Sequence, residues 1–113
     1  MAEEKKSLSG NTSMLLLQLM SERDMYGYEM IETLREKSEN VFELKAGTLY
    51  PLLHTLEEKG YLTSWEQDAG GKTRKYYGLT KAGKKQLAKK EEEWKEYSRA
   101  VVKVLGGACH EYA

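Results

Sequence analysis

The chain has one cysteine, Cys109, which excludes an intrachain disulfide framework and any zinc site built on paired thiolates. Cys109, His110 and Glu111 would need distant ligands to complete a metal site, and the only other histidine is His54. No metal and no other cofactor is expected. Nowhere does an apolar run approach the roughly 20 residues that span a bilayer. The opening Met1-Ala2-Glu3-Glu4-Lys5-Lys6 leads into no apolar stretch with a small-residue cleavage site. These absences lead us to expect a cytoplasmic protein without a membrane partner. Paired carboxylates in an apolar setting, a Ser-His-Asp set and a phosphate loop are all missing, so the sequence reads as a non-enzyme. Leu, Ile, Val and Phe are scarce, but eight tyrosines and two tryptophans supply buriable area. With 113 residues the reading is one folded domain with a thin core.

Net charge is zero, yet the charges are not mixed evenly. Between Ala69 and Lys90 lie eight basic residues and no acidic one, so the other ten basic residues share the rest of the chain with all eighteen acidic ones. A concentrated positive segment is how a phosphate-binding footprint looks, and also how a lysine-rich turn and solvated helix end look.

Apolar spacing divides the chain into elements. Asn11 or Thr12 can cap a helix whose Met14, Leu15, Leu16, Leu17, Leu19 and Met20 are too dense for a surface amphipath. A second helix carries Met30, Ile31 and Leu34, is entered through Tyr26-Gly27-Tyr28 and ends near 38–40. A third runs through Leu49, Leu52, Leu53 and Leu56 to Gly60. Pro51 leaves its start open: a helix capped by Thr48 takes the proline in its first turn, whereas one starting near Ala46, after a Lys45 that offers no capping oxygen, would kink there. Two runs of period two then flank Asp68-Ala69-Gly70-Gly71 and predict a hairpin, with Tyr77 and Leu79 facing inward. Thr80 can cap a last helix from Lys81 to just before Gly106. At about 1.5 Å per residue that helix is roughly 37 Å long and must overhang so small a core. Leu87, Trp94 and Val101 repeat every seven residues along it, with Tyr97, Val104 and then Leu105 between or beyond them. This is a dimerisation seam, and a second copy of the chain is its simplest partner.

Three helices followed by a hairpin is the layout of a winged helix-turn-helix. The fold class expected is mainly α with a β-hairpin (α+β), with the DNA-binding unit over 1–80 after a flexible start of about 1–10, the dimerisation helix over 81–105 and a flexible tail over 106–113. At the start of the third helix, Gly47, Thr48 and Tyr50 can approach phosphates or base edges, and His54 lies one turn further along. Tyr50 serves equally well as a core aromatic. At the hairpin, Lys72, Arg74 and Lys75 beside a Gly-Gly tip can neutralise phosphates.

The run from Gly47-Thr48-Leu49-Tyr50-Pro51-Leu52-Leu53 through Leu56-Glu57-Glu58-Lys59-Gly60-Tyr61-Leu62 resembles the signature of PadR-like transcriptional regulators. Tyr26-Gly27-Tyr28-Glu29-Met30-Ile31 resembles that family's entry to its second helix, and Arg74-Lys75-Tyr76-Tyr77-Gly78-Leu79-Thr80 with Gly83 its wing exit. The likeness covers about 11–105 and is similar to the compact subfamily with a single terminal helix. It implies a homodimeric DNA-binding protein, usually a repressor, on an inverted-repeat operator, with Tyr28 and Lys45 added to the contacts. Lys45 stands where the family often has a capping Ser, Thr or Asn, and a lysine there can itself reach phosphate. The likeness also implies release by a planar aromatic or drug-like molecule between the protomers. Trp94 would line that pore, or else pack against its mate in the seam, and Met14, Leu15 and Gln18 would form the opposite wall. The alternative reading is a winged-helix small-molecule sensor or protein adaptor without specific DNA binding.

Overall fold

The computed structural model describes residues 2–106, with side chains from Asn11 onward. The Cys109-His110-Glu111 cluster lies outside the described residues, and of the tail expected over 106–113 only Gly106 falls within them.

Among the described residues, four helices and three strands follow one another as α1 (Ala2–Glu22), β1 (Met25–Tyr26), α2 (Gly27–Lys37), α3 (Ala46–Glu58), β2 (Leu62–Ala69), β3 (Lys72–Leu79) and α4 (Lys81–Val104). The expected cap of α1 is corrected: the helix runs straight through Asn11 and Thr12. The preceding Ala2-Glu3-Glu4-Lys5-Lys6 are strong helix formers, so the backbone has no reason to begin at a polar residue further on. Thr12 is instead almost fully buried.

Helix α3 begins at Ala46, the earlier of the two starts. Lys45 is its N-cap in extended conformation without a side-chain cap, and its carbonyl accepts from the N–H groups of Thr48 and Leu49 at 3.0 and 2.9 Å. Pro51 therefore lies inside the helix. One N–H is lost there, yet the helix continues to Glu58, because Leu49, Leu53 and Leu56 on its inner face are buried and hold it by packing.

The hairpin forms around Gly70-Gly71, with Ala69 opposite Lys72 and both glycines at positive φ (61° and 83°), the backbone of a tight hairpin turn that side chains resist. An element absent from the sequence reading joins it: β1 pairs antiparallel with β3, Met25 opposite Tyr77 and Tyr26 opposite Tyr76, giving the order β1-β3-β2. Two residues are too few to show a period. One sheet face carries Met25, Leu62, Tyr77 and Leu79 into the core, while Tyr26, Trp65, Arg74 and Tyr76 share the other.

The core joins Leu16, Leu17 and Met20 of α1 to Met30 and Leu34 of α2, the α3 leucines and the sheet. Helix α4 is capped by Thr80, whose Oγ1 accepts from the Gly83 N–H at 3.0 Å and donates to the Gly60 carbonyl at 2.6 Å. The chain measures 54 × 28 × 26 Å, and α4 packs on α1 before its distal half runs clear of the core. Leu87, expected at the head of the seam, belongs to the chain's own core at 7% exposure. Trp94, two turns further along, borders α1 as well but stays 43% exposed.

Candidate nucleic-acid interface

The end of β1 and three further elements meet around a cleft of about 490 Å³ lined by Tyr26, Gly27, Tyr28, Tyr50, His54, Glu57, Thr73, Arg74, Lys75 and Tyr77. Helix α2 contributes its first turn, α3 one exposed flank and β3 the wing. Five residues expected to touch DNA, namely Tyr28, Tyr50, His54, Arg74 and Lys75, are thus brought together from positions up to 47 apart in the chain.

Tyr28 and Tyr50 are 59% and 49% exposed, far from the burial of core aromatics. The Tyr50 ring nevertheless has a fixed seat. A Cβ built on Gly27 would lie 2.8 Å from Tyr50 Cζ, so only glycine lets the ring lie against the first turn of α2. His54 is exposed, with Nε2 3.4 Å from a Glu58 carboxylate oxygen. Glu57, on the cleft floor, accepts from Ser64 Oγ at 2.6 Å, which ties α3 to β2.

Arg74 and Lys75 differ in setting. The Arg74 guanidinium lies 4.5 Å from the centre of the Tyr26 ring and is half-buried, while Lys75 is exposed, its Nζ 5.6 Å from the Tyr77 ring centre. Lys72 stands at the wing tip beside Gly71, outside the cleft lining. Lys45, Gly47 and Thr48 form the exposed start of α3, where the first turn carries no acidic residue. A helix start of this kind attracts anions, because its N–H groups and dipole point outward.

The sequence reading left Tyr26, Gly27, Glu57, Thr73 and Tyr77 out of this site. Tyr26 carried a signal in its place within Tyr26-Gly27-Tyr28, but its role depends on β1, which no local pattern announces.

A second groove, of about 200 Å³, runs between α1 and α4 and is lined by Met14, Leu15, Gln18, Leu87, Glu91, Trp94 and Lys95. All four residues expected to touch a ligand line it, within a single chain. Beyond it the distal part of α4 exposes Trp94, Tyr97, Val101, Val104 and Leu105, with the Trp94 and Tyr97 rings 5.9 Å apart. Tyr97, Val101, Val104 and Leu105 surround a purely apolar hollow of about 240 Å³.

A helix-turn-helix with an aromatic and basic cleft, bounded by a three-stranded wing, is the build of a winged-helix DNA-binding regulator. The chain belongs to the transcriptional regulator PadR-like family, whose pattern matches residues 16–89. It is 37% identical over 76 residues to a transcriptional regulator of Mycobacterium tuberculosis, covering 67% of this chain and 68% of that protein. It is 34% identical over 96 residues to the uncharacterized protein X of Lysinibacillus sphaericus, covering 83% of this chain and 87% of that protein. Among solved structures, a transcriptional regulator from Clostridium thermocellum superposes with TM-score 0.81 at 33% identity, covering 87% of this chain and 96% of that one. A PadR family regulator from Eggerthella lenta superposes with TM-score 0.78 at 33% identity, covering 92% and 90%. The chain is accordingly a transcriptional regulator of this family, and not an enzyme.

Proposed function

We propose that the chain is a homodimeric, sequence-specific repressor that reads an inverted-repeat operator and is released by a planar aromatic molecule. The observation carrying the DNA reading is the cleft itself, where Tyr28, Tyr50, His54, Arg74 and Lys75 from three elements face one space. In this arrangement α3 enters the major groove, His54 faces base edges, and Thr48 and Tyr50 donate to phosphate oxygens. The wing's Lys72, Arg74 and Lys75 follow the adjacent backbone. Lys45 and the open first turn of α3 add a phosphate contact.

The dimer reading rests on the exposed stripe of Tyr97, Val101, Val104 and Leu105, which leaves water when two α4 helices pair. Pairing there sets the α1/α4 groove of each protomer beside the joint, so Trp94 offers a ring face to a flat ligand. Ligand and operator compete when the occupied groove holds the two α4 helices at a spacing the operator does not match.

Selection of bound fragments from genomic DNA, followed by salt-titrated gel shift, tests the reading. Two half-sites about 10 base pairs apart, and a log–log salt slope near −5 for about six phosphate contacts per dimer, are expected. Weak capture with no preferred site would favour an adaptor instead.

A further inference from the structure

Resting on the wing-to-phosphate reading above, we propose that Tyr26 is a positioning residue for Arg74. It holds the guanidinium flat at the cleft edge with its N–H donors turned outward, and so locks the wing to the helix-turn-helix as one reading head.

Tyr26 occupies both junctions at once. As a residue of β1 it pairs with Tyr76 of β3, and as the residue before α2 its N–H donates to the Glu29 carboxylate at 3.2 Å. Arg74 lies two residues from Tyr76 on the same face of β3, diagonal to Tyr26 and within reach across the strands. That diagonal is occupied: the guanidinium carbon is 4.5 Å from the Tyr26 ring centre. The ring is itself braced by a second aromatic contact. Tyr76 meets it edge-on with centres 5.4 Å apart at 72°, and Trp65 of β2 stacks on Tyr76 at 6.4 Å and 17°. Trp65 can lie flat because Gly78, its diagonal neighbour on β3, has no side chain, a Cβ there coming 3.1 Å from the indole. The row Trp65–Tyr76–Tyr26 therefore crosses all three strands and ends at Arg74.

Stacking uses the face of the guanidinium and leaves its in-plane donors free. A phosphate needs those donors, and a lysine offers no equivalent flat group. Lys72 and Lys75 of the same wing are exposed, so each must give up more side-chain freedom on binding than the half-buried Arg74. Tyr26 thus lowers the ordering cost of one phosphate contact without touching DNA.

The test compares Arg74→Ala, Arg74→Lys, Tyr26→Phe, Tyr26→Leu and the double variant Tyr26→Leu/Arg74→Ala of the full chain on a mixed-sequence duplex at low salt. Tyr26→Phe keeps the ring and is expected to bind within about twofold of the parent. Tyr26→Leu is expected to lose about threefold for each wing, hence about tenfold for a two-winged complex, and to add nothing in the Arg74→Ala background. Arg74→Lys, which leaves the sheet intact and retains the charge, is expected to lose a similar amount. Equal losses from Tyr26→Leu in both backgrounds, or parental binding by Tyr26→Leu or Arg74→Lys, would overturn the proposal while leaving the wing contact standing. Parental binding by Arg74→Ala would instead remove the wing contact itself, and this role with it. Proton NMR of the free chain gives a readout that a merely structural Tyr26 would not move. The Arg74 δ protons should be shifted upfield by the ring in the parent and Tyr26→Phe and not in Tyr26→Leu, and unshifted parental protons would reject the stack.

Discussion

Gly27 has no side chain, and the Tyr50 ring fills the space where one would be. Gly27→Ala is expected to push that ring off the first turn of α2, costing about 1 kcal/mol of stability as mild overpacking and a measurable part of DNA affinity. Thermal denaturation and gel shift on the same preparation check the two effects. The sequence left Tyr50 open between core packing and contact, and the structure puts it in neither extreme: the phenol end of the ring is seated on Gly27 while the residue stays half exposed. That outcome is not written in the residues around Tyr50, because its seat lies 23 positions earlier in the chain. At Arg74 the residue type was the stronger guide. Arg74→Ala is expected to weaken binding to all duplex sequences alike and to flatten the salt slope by about 1 per wing, since a phosphate contact carries no sequence information. An unchanged slope in a salt titration would remove the wing from the interface.

Elements were legible in proportion to their length and punctuation. The hairpin announced itself by alternating β-branched and aromatic residues around Gly70-Gly71, and α4 by Thr80 before an uninterrupted run to Gly106. Thr80→Ala deletes both the cap to Gly83 and the bond to the Gly60 carbonyl, so a loss of about 1–2 kcal/mol is expected, measured as a lower urea midpoint at unchanged m. The start of α3 and the existence of β1 were not legible. Capping chemistry favoured no residue at Lys45, yet the buried leucines of α3 set the helix, and β1 exists only because β3 offers it an edge. A smaller tie joins α1 to α2, where Lys37 Nζ lies 3.0 Å from Glu22. Bonds from Lys37 and Gln18 hold the Glu22 carboxyl below the ordinary carboxylate value. A depressed carboxyl pKa stabilises the fold above the unfolded value and loses that contribution as pH falls through the folded one. Lys37→Ala should therefore narrow the gap between the melting temperatures at neutral and acid pH, slightly because both groups lie at the surface.

At the scale of the whole molecule, the distal half of α4 presents large apolar side chains that its own core cannot cover, Val104 at 85% exposure among them. Val101→Asp with Val104→Asp is expected to convert dimers to monomers in sedimentation at micromolar concentration. Gel shift should show weaker operator binding by the same variant, whose wings and α3 remain intact. Trp94→Ala is expected to abolish fluorescence quenching by planar aromatic molecules, and quenching that persists from Trp65 would move the ligand out of the α1/α4 groove. Periodicity and charge alone determined the helices, the hairpin, the positive segment and an apolar stripe in need of a partner, because side-chain patterning and turn chemistry are local properties of the chain. Tertiary structure decided the rest: that Leu87 turns into its own core, that α1 runs against α4 of the same chain, and that Tyr26 spans wing and helix. Each of these depends on which distant surfaces come to lie within a few ångströms, and no window of sequence contains that distance.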